Sequence, residues 1–533
     1  MIEAFWIPLL PPYLIGLVLS FAVEALLTPR PVAPWRRPLA AVGVHVGVWT
    51  LAFALELMLF RRPYFAVANV LAIELLIVLV SNAKYQALRE PFVYPDFEYF
   101  LDAVKHPRLY LPFFGVVPAL VAGGGYGLAL WAGLALEDAI TVEIGLWLAT
   151  ASAAPDAGIL ESANPFNGVL SYSIIIALGG VAIIKIGVCR LKVSLDATED
   201  LKRLGLLAAC CSYRYLEKMP IDQIRDGAPF APQKNVVRMD LESRGQRPDF
   251  VVIQSESFFD VREVYPCVQK GILRNFDRLR YEGNQYGALE VSAWGANTVR
   301  TEFSFLSGMT DATLGVHRYN PYRRLALRGF PTIASYLQQQ GYRTICVHPH
   351  HRTFYRRSVV LPRIGFDEFI GIEAFELTDR DGAYIGDRAV GKKVQELLSI
   401  PTGRPLYIHV ITMENHGPLH LEKVSADDVR GVLMSDIPAG CEDLVAYGRH
   451  LQNADEMLGA LANHLEARTR PTLLCFFGDH VPIMPKVYKK LGAPAGTTNY
   501  FMWHSHQKNT ALQRTLHVSE LAKTYLNTAS VKI

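Results

Sequence analysis

The sequence lacks the features of a disulfide-bonded or zinc-thiolate protein. Its 533 residues include seven cysteines, an odd number, and no two of them form a C-x-x-C pair. Complete internal pairing is therefore excluded. Cys346 and Cys475 lie inside apolar, strand-like runs, so they are predicted to be buried free thiols.

The chain also lacks a large net charge. Its 53 basic and 50 acidic residues leave a net charge of +3, which is too small for a basic surface that follows nucleic acid phosphates. No nucleic acid partner is therefore expected. Basic residues are scarce at the front, where only 11 of the 53 lie within residues 1–190. The front third is a membrane candidate and the remainder a soluble one.

Long apolar stretches fill this front third. Because roughly 20 helical residues cross a bilayer, at least four spans are predicted, over residues 6–28, 38–60, 65–82 and 111–136. Residues 140–154 are short for a span, and residues 168–189 are expected to cross the membrane or lie along its surface. Glu24 lies close enough to the end of a span to reach water. Loop charges conflict with each other, so they leave the orientation open.

Composition divides the chain into three predicted parts. Residues 1–190 form a multi-span transmembrane domain, and residues 246–533 form a soluble domain. Between them, residues 191–245 are rich in charge, proline and glycine. They are predicted to be a linker with a short helix near residues 201–216.

From Asp249 onward, short apolar runs alternate with amphipathic patterns. The runs DFVVIQS, YRTICVH, LYIHVIT and TLLCFF are predicted to be strands buried on both faces, and FPTIASYLQQQ, DRAVGKKVQELL and LVAYGRHLQNADEMLGALANHL to be helices between them. This alternation indicates a largely parallel sheet covered on both sides. In such sheets the ligand site lies beyond the carboxyl ends of the strands.

Residues that carry ligand oxygens or nitrogens follow these predicted strands. Glu256 comes after DFVVIQS, His416 follows LYIHVIT, and Asp479 with His480 closes TLLCFFGDH. Thr298 lies in the turn WGANTVRTEF. Carboxylates with an imidazole suit a hard divalent cation, and a hydroxyl held against such a cation can become a nucleophile near neutral pH. The combination predicts a phosphoryl-transfer enzyme.

Each candidate also has an ordinary structural explanation. Glu256 could be a solvated loop carboxylate, Thr298 could cap the helix that follows it, and His416 could serve only its turn. In the loop HPHHRTFYRRSVV the histidine spacing is a weak zinc signal. Arginines with interleaved aromatics suit an anionic phosphate, and an ordinary basic surface loop explains them equally well.

At these residues the chain resembles the lipoteichoic acid synthase and phosphoglycerol transferase family, membrane-bound members of the alkaline phosphatase and sulfatase superfamily. The resemblance covers nearly the whole chain and rests on the Glu in VVIQSESF, the Thr in GANTVRTEF, the TFYRR loop, the NHGP turn and the closing GDH. It implies an α-helical transmembrane domain followed by an α/β sulfatase-like domain with a mostly parallel central sheet.

The resemblance also implies roles for individual residues. A manganese or magnesium ion would be held by Glu256, Thr298, Asp479 and His480, with Thr298 also the nucleophile. The family's contacts to the glycerol phosphate group would match His348, Tyr355, Arg357 and His416. Tyr355 stands where the lipoteichoic acid synthases usually have Trp.

The implied reaction moves a phosphoglycerol group from phosphatidylglycerol to an acceptor hydroxyl through a covalent phosphothreonine, with His416 as a proton carrier. The acceptor would be polyglycerol phosphate, a glucan or another glycan. By resemblance, the enzyme is a multi-pass protein of the cytoplasmic (inner) membrane, and its catalytic domain faces the periplasm or the cell exterior.

Other activities remain as alternatives. A sulfatase that uses formylglycine needs a C-x-P-S-R type motif, which NTVRT lacks. Phosphoethanolamine transferases also use a Thr, so that reaction is the second hypothesis. A transporter is disfavoured because the spans hold few polar interruptions. A non-catalytic, membrane-anchored glycan-binding protein would tolerate loss of Thr298 or Glu256, and both are present.

Overall fold

The computed structural model describes residues 2–98, 116–140, 165–232 and 247–528. The chain divides into two compact units, residues 1–219 and 220–533. Apolar helices make up the first unit, and an α/β domain makes up most of the second. This order confirms the predicted fold class. The two boundaries between the three parts predicted from composition stay predictions.

The first unit is built from helices. They are α1 (Ile2–Glu24), α2 (Leu39–Phe60), α3 (Pro63–Leu88), α4 (Val116–Leu136), α5 (Pro165–Arg190), α6 (Ala197–Leu204) and α7 (Leu206–Glu217). Within the described residues, four stretches are long and apolar enough to cross a membrane, namely Ile7–Glu24, Leu39–Phe60, Pro63–Leu88 and Val169–Arg190.

Most of the predicted spans correspond to these helices. The three that begin before residue 70 are confirmed by α1, α2 and α3. The span predicted over residues 111–136 coincides with α4 from residue 116 onward, and its first five residues lie outside the described ones. The stretch 168–189 corresponds to α5, which is long enough to cross. Of the doubtful stretch 140–154, all but Ile140 lies outside the described residues.

Helices α2 and α5 approach each other closely at two glycines. A Cβ on Gly47 would lie 2.9 Å from the carbonyl oxygen of Gly180, and a Cβ on Gly180 would lie 2.8 Å from the carbonyl oxygen of Gly47. Small residues permit such backbone contact between membrane helices, where van der Waals packing drives association. A larger side chain at either position would separate the two helices.

Glu24 does not reach water, so that prediction is wrong. Its side chain is fully buried, and it accepts hydrogen bonds from the Arg37 guanidinium and from the backbone N–H of Leu206 at 2.6 Å. Leu206 begins α7, where unpaired N–H groups and the helix dipole favour a carboxylate. The short helix predicted near residues 201–216 is present as α7, but it begins at Leu206 because Gly205 (φ 85°) separates it from α6.

The second unit contains the strands β1 (Asp249–Ser255), β2 (Gln285–Glu290), β3 (Arg343–Val347), β4 (Glu368–Ile370), β5 (Arg380–Asp381), β6 (Tyr384–Ile385), β7 (Leu406–Ile411), β8 (Thr472–Gly478), β9 (Thr498–His504), β10 (Leu512–Gln513) and β11 (Leu516–His517).

Its helices are α8 (Asp222–Asp226), α9 (Arg274–Glu282), α10 (Thr298–Ser307), α11 (Asp311–Leu314), α12 (Pro321–Arg324), α13 (Ile333–Gln339), α14 (Arg357–Arg363), α15 (Asp387–Ser399), α16 (Ala426–Val432), α17 (Glu442–Ala467), α18 (Pro485–Leu491) and α19 (Val518–Thr528).

A nine-stranded sheet organises this unit, with strand order β10-β2-β9-β8-β1-β7-β3-β4 and β11 also paired with β2. Strands β8, β1, β7, β3 and β4 run parallel, as the sequence predicts. Strand β9 pairs antiparallel with both β8 and β2, which the sequence patterns did not indicate. The carboxyl ends of the central parallel strands therefore share one edge.

Apolar side chains cover both faces of the sheet. Along β1, Phe250 and Val252 belong to the cluster that packs beneath α10, α13 and α19, while Val251 and Ile253 belong to the cluster beneath α9, α15 and α17. This alternation follows from the two-residue period of a strand. A strand buried on both faces reads as a continuous apolar run, which is why DFVVIQS was recognisable.

Candidate active site

Three segments bring polar side chains to the carboxyl edge of the sheet. Glu256 follows β1, and Asp479 with His480 follows the neighbouring strand β8. Thr298 begins α10. The ligand atoms of Glu256, Asp479 and His480 all lie within 4.8 Å of one another, and the three side chains are buried. The predicted convergence of distant residues is thus present in the structure.

His480 lies between the two carboxylates. Its Nε2 is 3.4 Å from Glu256 Oε1 and 3.6 Å from Asp479 Oδ2. Its Nδ1 lies 3.1 Å from the carbonyl oxygen of Val481, which can only accept a hydrogen bond, so Nδ1 carries a proton. This arrangement turns Nε2 toward the carboxylate oxygens.

Two atoms of this group fit a cation. Asp479 Oδ2 and His480 Nε2 are buried and have no hydrogen-bond partner within the part of the chain that the structure describes. Buried polar atoms are nearly always paired, so two neighbouring exceptions require an explanation. Two carboxylates and an imidazole are ligands that Mn²⁺ and Mg²⁺ accept, and they are close enough to share one ion. The donor set therefore fits a divalent metal.

Electrostatics give the same indication. Burial, together with the charge of Glu256, raises the pKa of Asp479 to about 7. Burial opposes the charged form of His480, but the Asp479 and Glu256 carboxylates raise its pKa. Like charges in a buried cluster are unfavourable unless a positive charge balances them. A divalent cation supplies that balance.

Thr298 directs its hydroxyl into this cluster. Its Oγ1 donates a hydrogen bond to Glu256 Oε2 at 3.3 Å. The residue at the N-cap of α10 is Asn297, so the capping role considered for Thr298 is wrong. Thr298 is the first residue of a ten-residue helix, where the dipole favours a bound phosphate. A nucleophile at this position would meet its phosphate in a favourable field.

Strained backbone surrounds the site. Among the described residues of the second unit, the non-glycine residues with positive φ are Ser257 (52°), Asn297 (67°), Tyr355 (51°) and Arg356 (56°). Each one adjoins a candidate residue in sequence or is itself one. Such conformations cost energy and persist where surrounding contacts enforce them, and they cluster at functional sites.

Three of the four residues predicted to contact a substrate headgroup form a second cluster. His348 follows β3, and its Nδ1 donates to the carbonyl oxygen of Ile411 at 3.1 Å. Arg357 donates from Nη1 to His348 Nε2 at 3.2 Å. The ring of Tyr355 lies 5.2 Å from the Arg357 guanidinium carbon. We call His348, Tyr355 and Arg357 the headgroup subsite.

Sequence reasoning missed a carboxylate in this cluster. Arg357 Nη2 donates to Glu302 Oε2 at 2.6 Å, and both side chains are buried. The Tyr322 hydroxyl donates to the other oxygen of Glu302. One signal could have found it, since Glu302 lies four residues after Thr298, and residues four apart share a helix face.

His416 lies in the turn after β7 and is half-buried. Its Nδ1 is 3.1 Å from the Tyr384 hydroxyl and 2.8 Å from the carbonyl oxygen of Gly417. The two rings pack edge to face with centroids 5.2 Å apart. Burial raises the pKa of Tyr384, so the phenol stays protonated at neutral pH.

Comparison with known proteins places the chain in a family. Residues 248–531 match the Sulfatase family. The chain is 27% identical over 467 residues to the capsular polysaccharide biosynthesis protein RkpI of Rhizobium meliloti (strain 1021), which covers 86% of this chain and 80% of that protein.

Two further similarities concern transferases. The chain is 24% identical over 258 residues to a lipoteichoic acid synthase of Staphylococcus saprophyticus, covering 48% of this chain and 36% of that relative. The solved structure of lipooligosaccharide phosphoethanolamine transferase A from Neisseria meningitidis is similar in fold, with a TM-score of 0.54, 12% identity, and coverage of 91% of this chain and 87% of that one.

These matches confirm the resemblance that the motifs indicated. The similar solved structure spans both the membrane helices and the α/β domain. Because the family match extends over more than half of its residues, the chain belongs to the sulfatase family of the alkaline phosphatase superfamily.

Proposed function

We propose that this protein transfers a phosphoglycerol group from phosphatidylglycerol to an acceptor hydroxyl. The observation that carries the proposal is the convergence of Glu256, Asp479 and His480, with the Thr298 hydroxyl bonded to Glu256 and two buried ligand atoms unpartnered among the described residues. Lipoteichoic acid synthases and a capsular polysaccharide biosynthesis protein among the relatives support a transferase of the cell envelope.

The proposed metal site uses Glu256, Asp479, His480 and Thr298. A bound Mn²⁺ or Mg²⁺ lowers the pKa of a hydroxyl and offsets the negative charge of a phosphodiester. The protein's part is to hold these ligands in a buried, pre-formed arrangement. Ser257 contributes to it, because its N–H donates to Asp479 Oδ1 at 2.8 Å and its hydroxyl donates to Glu256 Oε1 at 2.8 Å.

The first step of the proposed reaction forms a bond between Thr298 Oγ1 and phosphorus and breaks the bond from phosphorus to the diacylglycerol oxygen. The Thr298 proton leaves along its existing hydrogen bond to Glu256 Oε2. His416 donates a proton to the departing diacylglycerol oxygen. The product is a glycerophosphoryl-threonine.

The second step returns the enzyme to its starting state. An acceptor hydroxyl forms a bond to phosphorus and gives its proton to His416, while the bond to Thr298 Oγ1 breaks and Glu256 returns the proton to the threonine. The acceptor class is a glycan, a glucan or a polyglycerol phosphate. A capsular polysaccharide biosynthesis protein that aligns over most of the chain favours a saccharide hydroxyl.

We place the enzyme in the cytoplasmic membrane as a multi-pass protein with its catalytic domain on the periplasmic or outer side. Four apolar stretches long enough to span a bilayer support membrane anchoring. A lipid donor explains the anchor, because the phosphodiester to be cleaved stays at the membrane surface.

Diacylglycerol release tests the proposal. Purified full-length protein in nanodiscs receives Mn²⁺ and phosphatidylglycerol labelled in the headgroup, with phosphatidylethanolamine in a parallel reaction. We expect diacylglycerol from phosphatidylglycerol and a labelled adduct on Thr298. Release from phosphatidylethanolamine alone would instead support the ethanolamine reaction, and release from neither lipid would contradict both.

Matched variants identify the nucleophile and the proton donor. Thr298→Ala is expected to lose both the covalent adduct and diacylglycerol release. Thr298→Ser is the conservative variant, because it keeps a hydroxyl at the same position. Thr402→Ala is the control, because it removes a threonine hydroxyl before β7, at the opposite edge of the sheet. His416→Gln is expected to slow release about 100-fold, since a general acid contributes roughly that much. An adduct on another residue would show that Thr298 is not the nucleophile, while the proposed transferase activity would stand.

A further inference from the structure

Glu302 is a buried carboxylate with no free oxygen. It lies one helical turn after Thr298 on α10, on the same face. Its Oε2 accepts from Arg357 Nη2 at 2.6 Å, and its Oε1 accepts from the Tyr322 hydroxyl. A carboxylate paired in this way is not available to bind a cationic ligand.

Arg357 keeps one guanidinium nitrogen for a ligand. Its Nη2 and Nη1 donate to Glu302 and His348, but its Nε is buried without a hydrogen-bond partner among the residues that the structure describes. Arginine nitrogens only donate, so this N–H requires an oxygen acceptor. The headgroup subsite therefore offers a hydrogen bond to a neutral oxygen or an anionic one.

His348 adds no charge to the subsite. The carbonyl of Ile411 can only accept and the guanidinium of Arg357 can only donate, so Nδ1 carries the proton and Nε2 carries none. Burial and the charge of Arg357 lower the pKa of His348 well below its usual value. The imidazole is neutral, and both of its nitrogens are already used.

The charges of the subsite therefore cancel. Arg357 supplies the positive charge, Glu302 supplies the negative charge in direct contact, and His348 is neutral. A neutral, hydrogen-bonding site suits an uncharged polyol, because an ammonium group would lose its hydration without gaining a free carboxylate. Discrimination of this kind is strong when buried polar groups would be left unpaired.

We infer that Glu302 is a positioning residue that balances Arg357 and makes the headgroup subsite net neutral, so that it selects an uncharged polyol headgroup over an ammonium headgroup. The inference rests on the proposed function, since it concerns the lipid donor of that reaction. Glu302 acts through Arg357 and does not touch the donor lipid itself.

Assays on three phosphodiester substrates distinguish this role from a structural one. Full-length protein with Mn²⁺ is assayed on phosphatidylglycerol, on phosphatidylethanolamine and on bis(p-nitrophenyl) phosphate, which has no headgroup. For Glu302→Gln we expect KM for phosphatidylglycerol to rise about 10-fold or more, and the loss of kcat/KM on the nitrophenyl diester to be roughly ten times smaller. Equal losses of kcat/KM on phosphatidylglycerol and on the nitrophenyl diester would overturn the inference.

Variants that remove one or both charges sharpen the test. Arg357→Met leaves the Glu302 carboxylate without its positive partner, so the preference for phosphatidylglycerol over phosphatidylethanolamine should fall by about 10-fold or more. The double variant Glu302→Gln with Arg357→Gln restores neutrality and should regain part of that preference at a low overall rate. It also lacks an unpaired buried charge, so it stays informative if a single variant does not fold.

The outcomes distinguish the two levels of inference. The matched control is Asp249→Asn, which breaks a buried ion pair at the opposite end of β1. It should reduce activity on all three substrates by the same factor. A wild-type protein that cleaves the nitrophenyl diester but neither lipid would contradict the proposed function and the inference with it. A wild-type preference for phosphatidylglycerol that survives unchanged in both single variants would overturn the inference alone.

Discussion

The two ends of strand β1 both carry buried charges, but the pairing of these charges differs between the ends. At the amino end, Asp249 accepts hydrogen bonds from Arg468 at 2.8 Å, from Arg470 at 3.3 Å and from the backbone N–H of Leu406 at 2.8 Å. Every charge there has a partner within the chain. Removing one member would leave a buried charge without compensation.

At the carboxyl end the partners are incomplete. Glu256, Asp479 and His480 converge, but Asp479 Oδ2 and His480 Nε2 have no hydrogen-bond partner among the described residues. The difference shows how one sheet combines structure with function. Buried charges that are completely paired stabilise the fold, and buried charges that are incompletely paired leave room for a ligand.

The largest expected effect separates catalysis from folding. Thr298→Ala should reduce diacylglycerol release by about 1,000-fold or more, because it removes the nucleophile. At a temperature where the Asp249→Asn variant is folded, its diacylglycerol release should stay within about 3-fold of the wild-type rate. Asp249 is distant from the catalytic residues, and distant sites act independently. Equal losses in the two variants would remove the distinction between the ends.

The next effect concerns stability. Asp249→Asn should cost about 3 kcal/mol, since breaking a buried ion pair leaves the remaining partner unpaired. Asp479→Asn in EDTA should cost much less, because it removes one of two carboxylates that oppose each other in a buried cluster. Thermal unfolding of the full-length protein in the same detergent measures both as changes in Tm. A larger loss for Asp479→Asn would reverse the comparison.

Metal binding should stabilise only an intact carboxyl end. With Mn²⁺ at about 100 times its Kd, the wild-type protein should gain about 2.7 kcal/mol. Asp249→Asn should keep this gain in Tm, and Asp479→Asn should lose most of it. Titration of Mn²⁺ against Tm in EDTA-treated protein gives the measurement. A gain that persists in Asp479→Asn would place the metal elsewhere.

A smaller effect probes the support of His416. Tyr384→Phe removes the hydroxyl that lies 3.1 Å from His416 Nδ1. Loss of one such hydrogen bond costs about 1 kcal/mol, or roughly 5-fold in kcat on phosphatidylglycerol. With the nitrophenyl diester, whose leaving group needs no proton, the loss should disappear. An equal loss on both donors would show that the phenol supports something other than His416.

Strand positions and the metal candidates could be predicted from the sequence because both depend on local signals. The runs LYIHVIT and TLLCFF coincide with β7 and β8, and parallel strands bring Glu256 and Asp479 to one edge. His504 and the rest of β9 lie in an antiparallel strand between β2 and β8, an order fixed by pairing across distant segments.

Other features could not be predicted, for a physical reason. The sequence puts Glu302 on the same helix face as Thr298, but its pairing with Arg357, 55 residues later, follows only from the fold. Glu24 likewise reads as a group near water until α7 places the N–H of Leu206 beside it. In both cases the partner is remote in sequence, and burial of the charge follows only from the tertiary contact.

Anomalous scattering at the manganese edge tests the central claim most directly. Crystals of the full-length protein grown with Mn²⁺ should show one peak within about 2.5 Å of Glu256, Asp479, His480 Nε2 and Thr298 Oγ1, the range for oxygen and imidazole ligands of such ions. A peak held by other residues, or none here at a concentration that supports diacylglycerol release, would contradict the account.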